Sequence, residues 1–206
     1  FAAQTASVGL RDALAQVDAA SLNAQARTYL SARAVAPEAA ALTDKMPQNV
    51  LYLGWISQLF PNAQFVICER TAEAVALSCY RQDFLDPSLS YADDLAALAN
   101  VTYDTGRIVA HWAGVLPNTM VHVRYEDLVD DLETHVRALL DALGLAFDER
   151  CLSFEQSTRF VNTASHAQVR RGLYRDSLDV HERYAAHLAP FTLALAQRRS
   201  EEGQTP

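Results

Sequence analysis

Apolar and polar positions along the 206-residue chain fall into alternating helical and strand-like patterns. Residues 9–17 and 21–33 have helical spacing, with Ser21 the expected N-cap of the second helix. Ala39 to Thr43 is a short apolar run consistent with a buried strand that ends at Asp44-Lys45-Met46-Pro47. Asn49 to Phe60 reads as a helix, with Val50, Leu53, Ile56 and Leu59/Phe60 on one stripe, and Pro61-Asn62 ends it. Gln64 to Cys68 is a short strand apolar on both faces, the pattern of a parallel sheet covered by helices. A helix is expected from Thr71 to Arg81 and a long helical stretch over 91–114, ended by Pro117. Thr119 to Arg124 is another strand, followed by the polar residues Tyr125-Glu126-Asp127. Asp131 to Leu143 is a helix stopped by Gly144, and Asp148 to Phe154 a shorter one. Residues 155–177 are irregular and polar, Leu178 to Gln197 reads as a last helix, and the tail from Arg198 is frayed.

Strands alternating with helices predict an α/β fold with a parallel sheet. No repeat or low-complexity linker divides the chain, so residues 1–206 read as a single domain. Ligands in such folds sit at the carboxyl ends of the strands. That directs attention to residues 44–49, 69–71 and 124–127, and to the polar segment 155–177.

Composition narrows the chemistry. Half the residues are hydrophobic and 20% are charged, as in an ordinary folded globule. A net charge of −8 argues against a nucleic-acid binder, which needs a basic footprint. No uninterrupted apolar window reaches the length of a membrane span. Three scattered cysteines, Cys68, Cys79 and Cys151, predict reduced, mostly buried thiols in a cytoplasmic setting and no zinc site. The six histidines lack metal-ligand spacing, no GxSxG elbow occurs, and the seven dispersed glycines form neither a P-loop nor a GxGxxG. Phe1-Ala2-Ala3-Gln4 is read as the cut end of a longer chain rather than a signal peptide.

Of the 17 basic residues, Lys45 is the only lysine. High Ala and Arg with almost no Lys fits coding bias, which makes the one retained lysine a candidate. At a strand end and fixed by Pro47, it is placed either to meet an anion as a point charge or to lie solvated beside Asp44. Arg70 leaves a strand end, and Ser78 follows two helical turns on. With the helix N-terminus they could hold a phosphate, or Arg70 could pair with Glu69 or Glu73. Tyr125 could stack on a base, with Glu126 and Asp127 capping the turn that follows. The run Asn162 to Arg171, with Ser165, His166, Arg170 and Arg171, is an anion-binding lid or a solvated loop.

Taken in order, these segments resemble the PAPS-dependent sulfotransferases, and within them a bacterial tetratricopeptide-repeat-associated group similar to the tyrosylprotein sulfotransferases. The series is Thr43 to Asn49, Tyr52-Leu53-Gly54, Leu59 to Gln64, Arg70 with Ser78-Cys79-Tyr80, Phe84, His111-Trp112, Tyr125 to Leu128, Thr163-Ala164-Ser165 and Gln168-Val169-Arg170. The resemblance covers about residues 25–195 and rests on order and spacing. It implies a three-layer P-loop-type α/β fold and sulfuryl transfer from PAPS, without metal, to a small-molecule or peptide acceptor bearing a hydroxyl or amine. Lys45 matches the catalytic lysine at the bridging oxygen, and Ser165 the serine near the sulfuryl group. Arg70 and Ser78 match the pair on the 3′-phosphate, and Tyr125 the tyrosine beside the adenine. Arg170 is a further cofactor-binding candidate.

The chain also departs from the family pattern. The phosphosulfate loop, its strand and the upstream acidic base are expected before Phe1, in a longer chain that could also carry tetratricopeptide repeats. Thr71-Ala72 follows Arg70 where the family usually has Asp/Asn-Pro. Asp179, Val180 and His181 stand where it usually offers a Gly, a basic residue and a Trp. The competing expectation is a non-catalytic binding module on the same fold with a degenerate cofactor site. A nucleotide kinase is disfavoured because neither a Walker lysine nor Mg²⁺ ligands are found.

Overall fold

A computed structural model describes residues 17–33, 39, 41–156 and 178–203. The chain divides into two compact units: residues 1–63 with 112–118, and residues 64–111 with 119–206. Among the described residues it is mixed α/β, mostly helical, with a small parallel sheet of two strands.

In the first unit, helix α1 spans Ala19–Ser31. Its N-cap is Asp18 rather than Ser21: the Ser21 backbone N–H donates to Asp18 Oδ1 at 2.8 Å. Both residue types cap well, and the aspartate adds negative charge at the positive end of the helix. The expected helix over 9–17 lies outside the described residues except for Val17, which is not helical. The expected strand is not formed either. Residue 39 and residues 41–43 are exposed and outside any strand or helix. A short alanine-rich run has little β-branched surface to pack, so apolarity alone does not make it a strand.

The helix expected over 49–60 is a 3₁₀ segment, Pro47–Tyr52, that runs into α2, Leu53–Leu59. Pro47 supplies the preset φ of a first helical position. Leu53 and Ser57 are the buried residues of α2. The Ser57 hydroxyl donates to Asn118 Oδ1. Asn118 Nδ2 in turn donates to the carbonyls of Pro61 at 3.1 Å and Ala63 at 2.8 Å. The chain after α2 is thus closed by side-chain bonds to its backbone acceptors.

Gly54 lies under Trp112. A Cβ at Gly54 would stand 2.7 Å from Cη2 and 2.8 Å from Cζ3 of the indole. The ring is held by its own N–H, which donates to the Val50 carbonyl at 2.8 Å. Gly54→Ala should therefore destabilise the chain, although alanine is the better helix former by about 1 kcal/mol. Overpacking costs about 1–3 kcal/mol, so a net loss of about 1 kcal/mol is expected in urea unfolding. Unchanged stability would show that Trp112 turns aside freely.

The second unit holds the sheet. Strands β1, Phe65–Glu69, and β2, Met120–Arg124, run parallel in the register Phe65↔Met120 to Glu69↔Arg124. The helices α3, Ala72–Tyr80, and α4, Leu95–Val115, lie between them in sequence. Residues 112–115 of α4 belong to the first unit. The 3₁₀ segment Pro87–Asp93 precedes α4, where one continuous helical stretch was expected from 91. Its own proline and the extended Asp94 separate the two. After β2 come α5, Tyr125–Asp130, and α6, Leu132–Ala142. Asp131 caps α6 through the Thr134 N–H at 3.1 Å. Gly144, at φ +68°, ends that segment in the left-handed conformation glycine favours. A kinked 3₁₀ stretch, Glu149–Gln156, follows, with Ser153 non-helical.

The expected last helix is two elements, the 3₁₀ turn Val180–Tyr184 and α7, Ala189–Glu202. Pro190 in the first turn of α7 fixes where that helix begins. The core joins Ala76 and Leu77 of α3, Leu98 and Ala99 of α4, and Leu188, Phe191 and Leu195 at α7. A polar clasp also ties α4 to α7. Glu202 accepts from the Tyr103 hydroxyl at 2.6 Å and pairs with Arg107 at 2.9 Å, while Arg198 pairs with Asp104.

Two expectations about burial change. Val66 and Cys68 of β1 are exposed, so this strand is not covered on both faces among the described residues. Cys68 is therefore exposed, and Cys79 and Cys151 are half-buried rather than deeply buried. Burial raises the Cys79 thiol above its ordinary value, which keeps it protonated and unreactive. Among the described residues no helix is long and apolar enough to cross a membrane.

Candidate functional site

The register of the sheet brings two expected residues together. With Glu69 opposite Arg124 as the last pair, the residues that follow the two strands are Arg70 and Tyr125, both half-buried. The Arg70 guanidinium carbon lies 4.6 Å from the centroid of the Tyr125 ring. A guanidinium over a phenol ring is held by its attraction to the π face, worth about 0.5–2 kcal/mol. That leaves the planar fork oriented at the carboxyl end of the sheet, where a forked cation suits a phosphate or sulfate.

The following pair is also joined. Glu126 Oε1 accepts from the Thr71 backbone N–H at 2.8 Å and from its hydroxyl at 2.7 Å. Thr71 is the N-cap of α3, yet it makes no side-chain cap within that helix. The cap comes instead from Glu126, in the first turn of α5, and its carboxylate meets the positive end of α3. Glu126 was expected to cap the turn after its own strand, so its partner is a correction. Sequence offers no signal for a cap supplied from 55 residues away. Burial alone would raise the Glu126 carboxyl, but the two bonds from Thr71 outweigh it and hold it below its ordinary value. The bond is thus strongest at neutral pH and weakens as acid protonates the group through that lowered range.

Glu69 is engaged by His122, whose Nδ1 lies 3.0 Å from Glu69 Oε1. Ser78 sits on the exposed face of α3, two residues before the helix ends. Val180, where a basic residue was looked for, packs against the hydrophobic core. That position contributes packing rather than charge.

Lys45 belongs to the first unit and is exposed in the extended stretch before Pro47. Asp44, its expected partner in the solvated reading, pairs with Arg33 at 3.1 Å. Arg33 is braced in turn over the Tyr29 ring, 3.5 Å from its centroid. Among the described residues no ion pair involves Lys45. Ser165 and Arg170 lie outside the described residues. No group of three or more metal-ligating side chains occurs among the described residues.

An open groove of about 540 Å³ lies elsewhere, beside the α4–α7 clasp, lined by Gly106, Arg107 and Arg199. It shares no residue with the Arg70–Tyr125 pair.

At the carboxyl edge of the sheet, the two strand ends thus present a cation over an aromatic ring and a helix start capped by Glu126. The chain is matched over residues 4–149 by the model of the sulfotransferase family, and it belongs to that family. An uncharacterized protein of Aquifex aeolicus (strain VF5) is 32% identical over 182 residues. The alignment covers 87% of this chain and 24% of that relative, so the chain spans about a quarter of the relative's length.

Proposed function

We propose that the protein transfers the sulfuryl group of PAPS to a hydroxyl or amine acceptor by in-line displacement. The observation that carries this reading is the Arg70–Tyr125 pair at the carboxyl ends of two parallel strands, inside the segment that matches the family. A forked guanidinium suits the 3′-phosphate and an aromatic ring suits the adenine beside it. Ser78 joins Arg70 on the 3′-phosphate, and Arg170 adds positive charge. Lys45 stabilises the charge that grows on the oxygen bridging sulfur and the 5′-phosphate, and Ser165 contacts the sulfuryl oxygens. These four roles are supported by the resemblance of the motif series.

In the transfer, the bond from sulfur to the bridging oxygen breaks as the bond from the acceptor oxygen or nitrogen to sulfur forms. The electron pair of the broken bond stays on the phosphate of PAP, and the acceptor's proton passes to a carboxylate or to water. Such a displacement needs positioning and electrostatic stabilisation more than covalent help from the protein. The same resemblance supports a three-layer P-loop-type fold for the catalytic unit and a small-molecule or peptide acceptor. It also supports tetratricopeptide repeats in the full-length chain, and the three free cysteines support a cytoplasmic setting.

Calorimetric titration with PAP tests the reading. Saturable binding is expected, and Arg70→Ala should weaken it about tenfold or more, the scale of a lost charge-assisted hydrogen bond. Absence of binding at millimolar PAP would refute it.

A further inference from the structure

We infer that Glu126 is a positioning residue for 3′-phosphate recognition: by capping α3 through Thr71, it fixes Arg70 over Tyr125. The inference rests on the PAPS reading above but comes from a contact that reading does not use. Five backbone pairs join the strands, ending at Glu69↔Arg124. Beyond that point side chains continue the pairing, Arg70 with Tyr125 and then Thr71 with Glu126. Arg70 therefore sits between the last backbone pair and the Glu126 brace. Its backbone is held on both sides, and its guanidinium lies over the Tyr125 ring, so little freedom is left to lose when a ligand binds.

The geometry also accounts for the residue after Arg70. A helix start needs an acceptor for its first N–H groups. Thr71 could supply one locally but gives its hydroxyl to Glu126 instead, and Glu126 accepts the Thr71 N–H with the same oxygen. The acceptor thus comes from the segment that carries Tyr125. Tyr125, on the adenine side of the proposed site, and Arg70, on its phosphate side, are locked to one another by this contact. A brace of this kind should matter more for a ligand bearing a 3′-phosphate than for one without it.

The test pairs two readouts on Glu126→Ala, Glu126→Gln and Thr71→Val. The first is the mobility of the Arg70 Nε–H group by NMR relaxation in the ligand-free protein. The second is the ratio of affinities for PAP and for AMP, which lacks the 3′-phosphate. Glu126→Ala should loosen the Arg70 group and lower PAP affinity about tenfold, the scale of a lost cap, with AMP within about twofold. Glu126→Gln keeps an acceptor oxygen for both bonds and should restore the ratio to within about threefold. Thr71→Val loses only the hydroxyl bond and should fall between them. An Arg70 group as ordered in Glu126→Ala as in the parent overturns the inference, whether or not PAP binds. So does an equal loss of PAP and AMP binding in step with stability, which is what a purely structural role predicts. If Arg70 loosens as expected but the parent does not prefer PAP to AMP, the PAPS reading fails and the 3′-phosphate purpose falls with it.

Discussion

Lys45→Ala should lower sulfuryl-transfer turnover by about 10²–10³ while leaving PAP affinity within a few-fold. That is the usual scale for removing one preorganised contact to a developing charge. The asymmetry is the point of the experiment. A lysine that met only the ground-state cofactor would change affinity and turnover together. One aimed at the bridging oxygen meets most of its charge only as the bond breaks. The surroundings of Lys45 fit that role: Asp44 is already occupied by Arg33, and no ion pair among the described residues holds the ammonium. Lys45→Arg should recover little, because a planar fork that stays protonated neither fits a single oxygen nor delivers a proton. Unchanged turnover in Lys45→Ala, measured with saturating PAPS, would remove the residue from the mechanism.

The largest effect on stability is expected at Phe191. This side chain is completely buried at the start of α7, where it packs with residues of α3 and α4. Phe191→Ala removes a ring from a close-packed site and leaves a void, at a cost of about 3–5 kcal/mol. In a chain of this length that corresponds to a fall in melting temperature of about 10 °C. Leu193, two residues on, is 71% exposed, and Leu193→Ala should stay within about 0.5 kcal/mol. The pair separates the contribution of the core contact from a general effect of truncating α7. Equal urea midpoints for the two variants would show that the α7 contact is not part of the cooperative core.

Sequence pattern carried the fold where two signals agreed. Gln64 to Cys68 and Thr119 to Arg124 were apolar runs followed at once by polar residues, and both are strands. Asp131 and Gly144 bracket α6 as start and stop signals should. Where only one signal was present the reading failed. The alanine-rich run at 39–43 had apolarity without strand-forming side chains, and Ser21 had a capping side chain while Asp18 had one nearer the helix start. Splits inside helical stretches, at Asp94 and before Ala189, depend on local backbone geometry that periodicity averages away.

The candidate site was legible to the same degree. Arg70 and Tyr125 could be chosen because ligands in α/β proteins sit at strand ends, and the register sets them side by side. Glu126 could be noticed but not assigned, because its partner Thr71 starts a helix 55 residues away and only the pairing of the strands brings them within reach. The groove beside α4 and α7 had no sequence signature, since Gly106 and Arg199 are unremarkable one at a time.

The parallel register of β1 and β2 also sets what the protein can tolerate by insertion and deletion. A residue added to or lost from either strand shifts one strand end past the other by about 3.3 Å. Losing one from β2 would carry Tyr125 back to the ladder end, opposite Glu69, and set Glu126 level with Arg70. Gaining one would bring Arg124 level with Arg70 and oppose two guanidinium groups. The connection between the strands carries no such constraint, because a loop there can lengthen without changing which residues end level. Length variation among relatives should therefore collect around residues 82–94 and avoid 65–71 and 120–126.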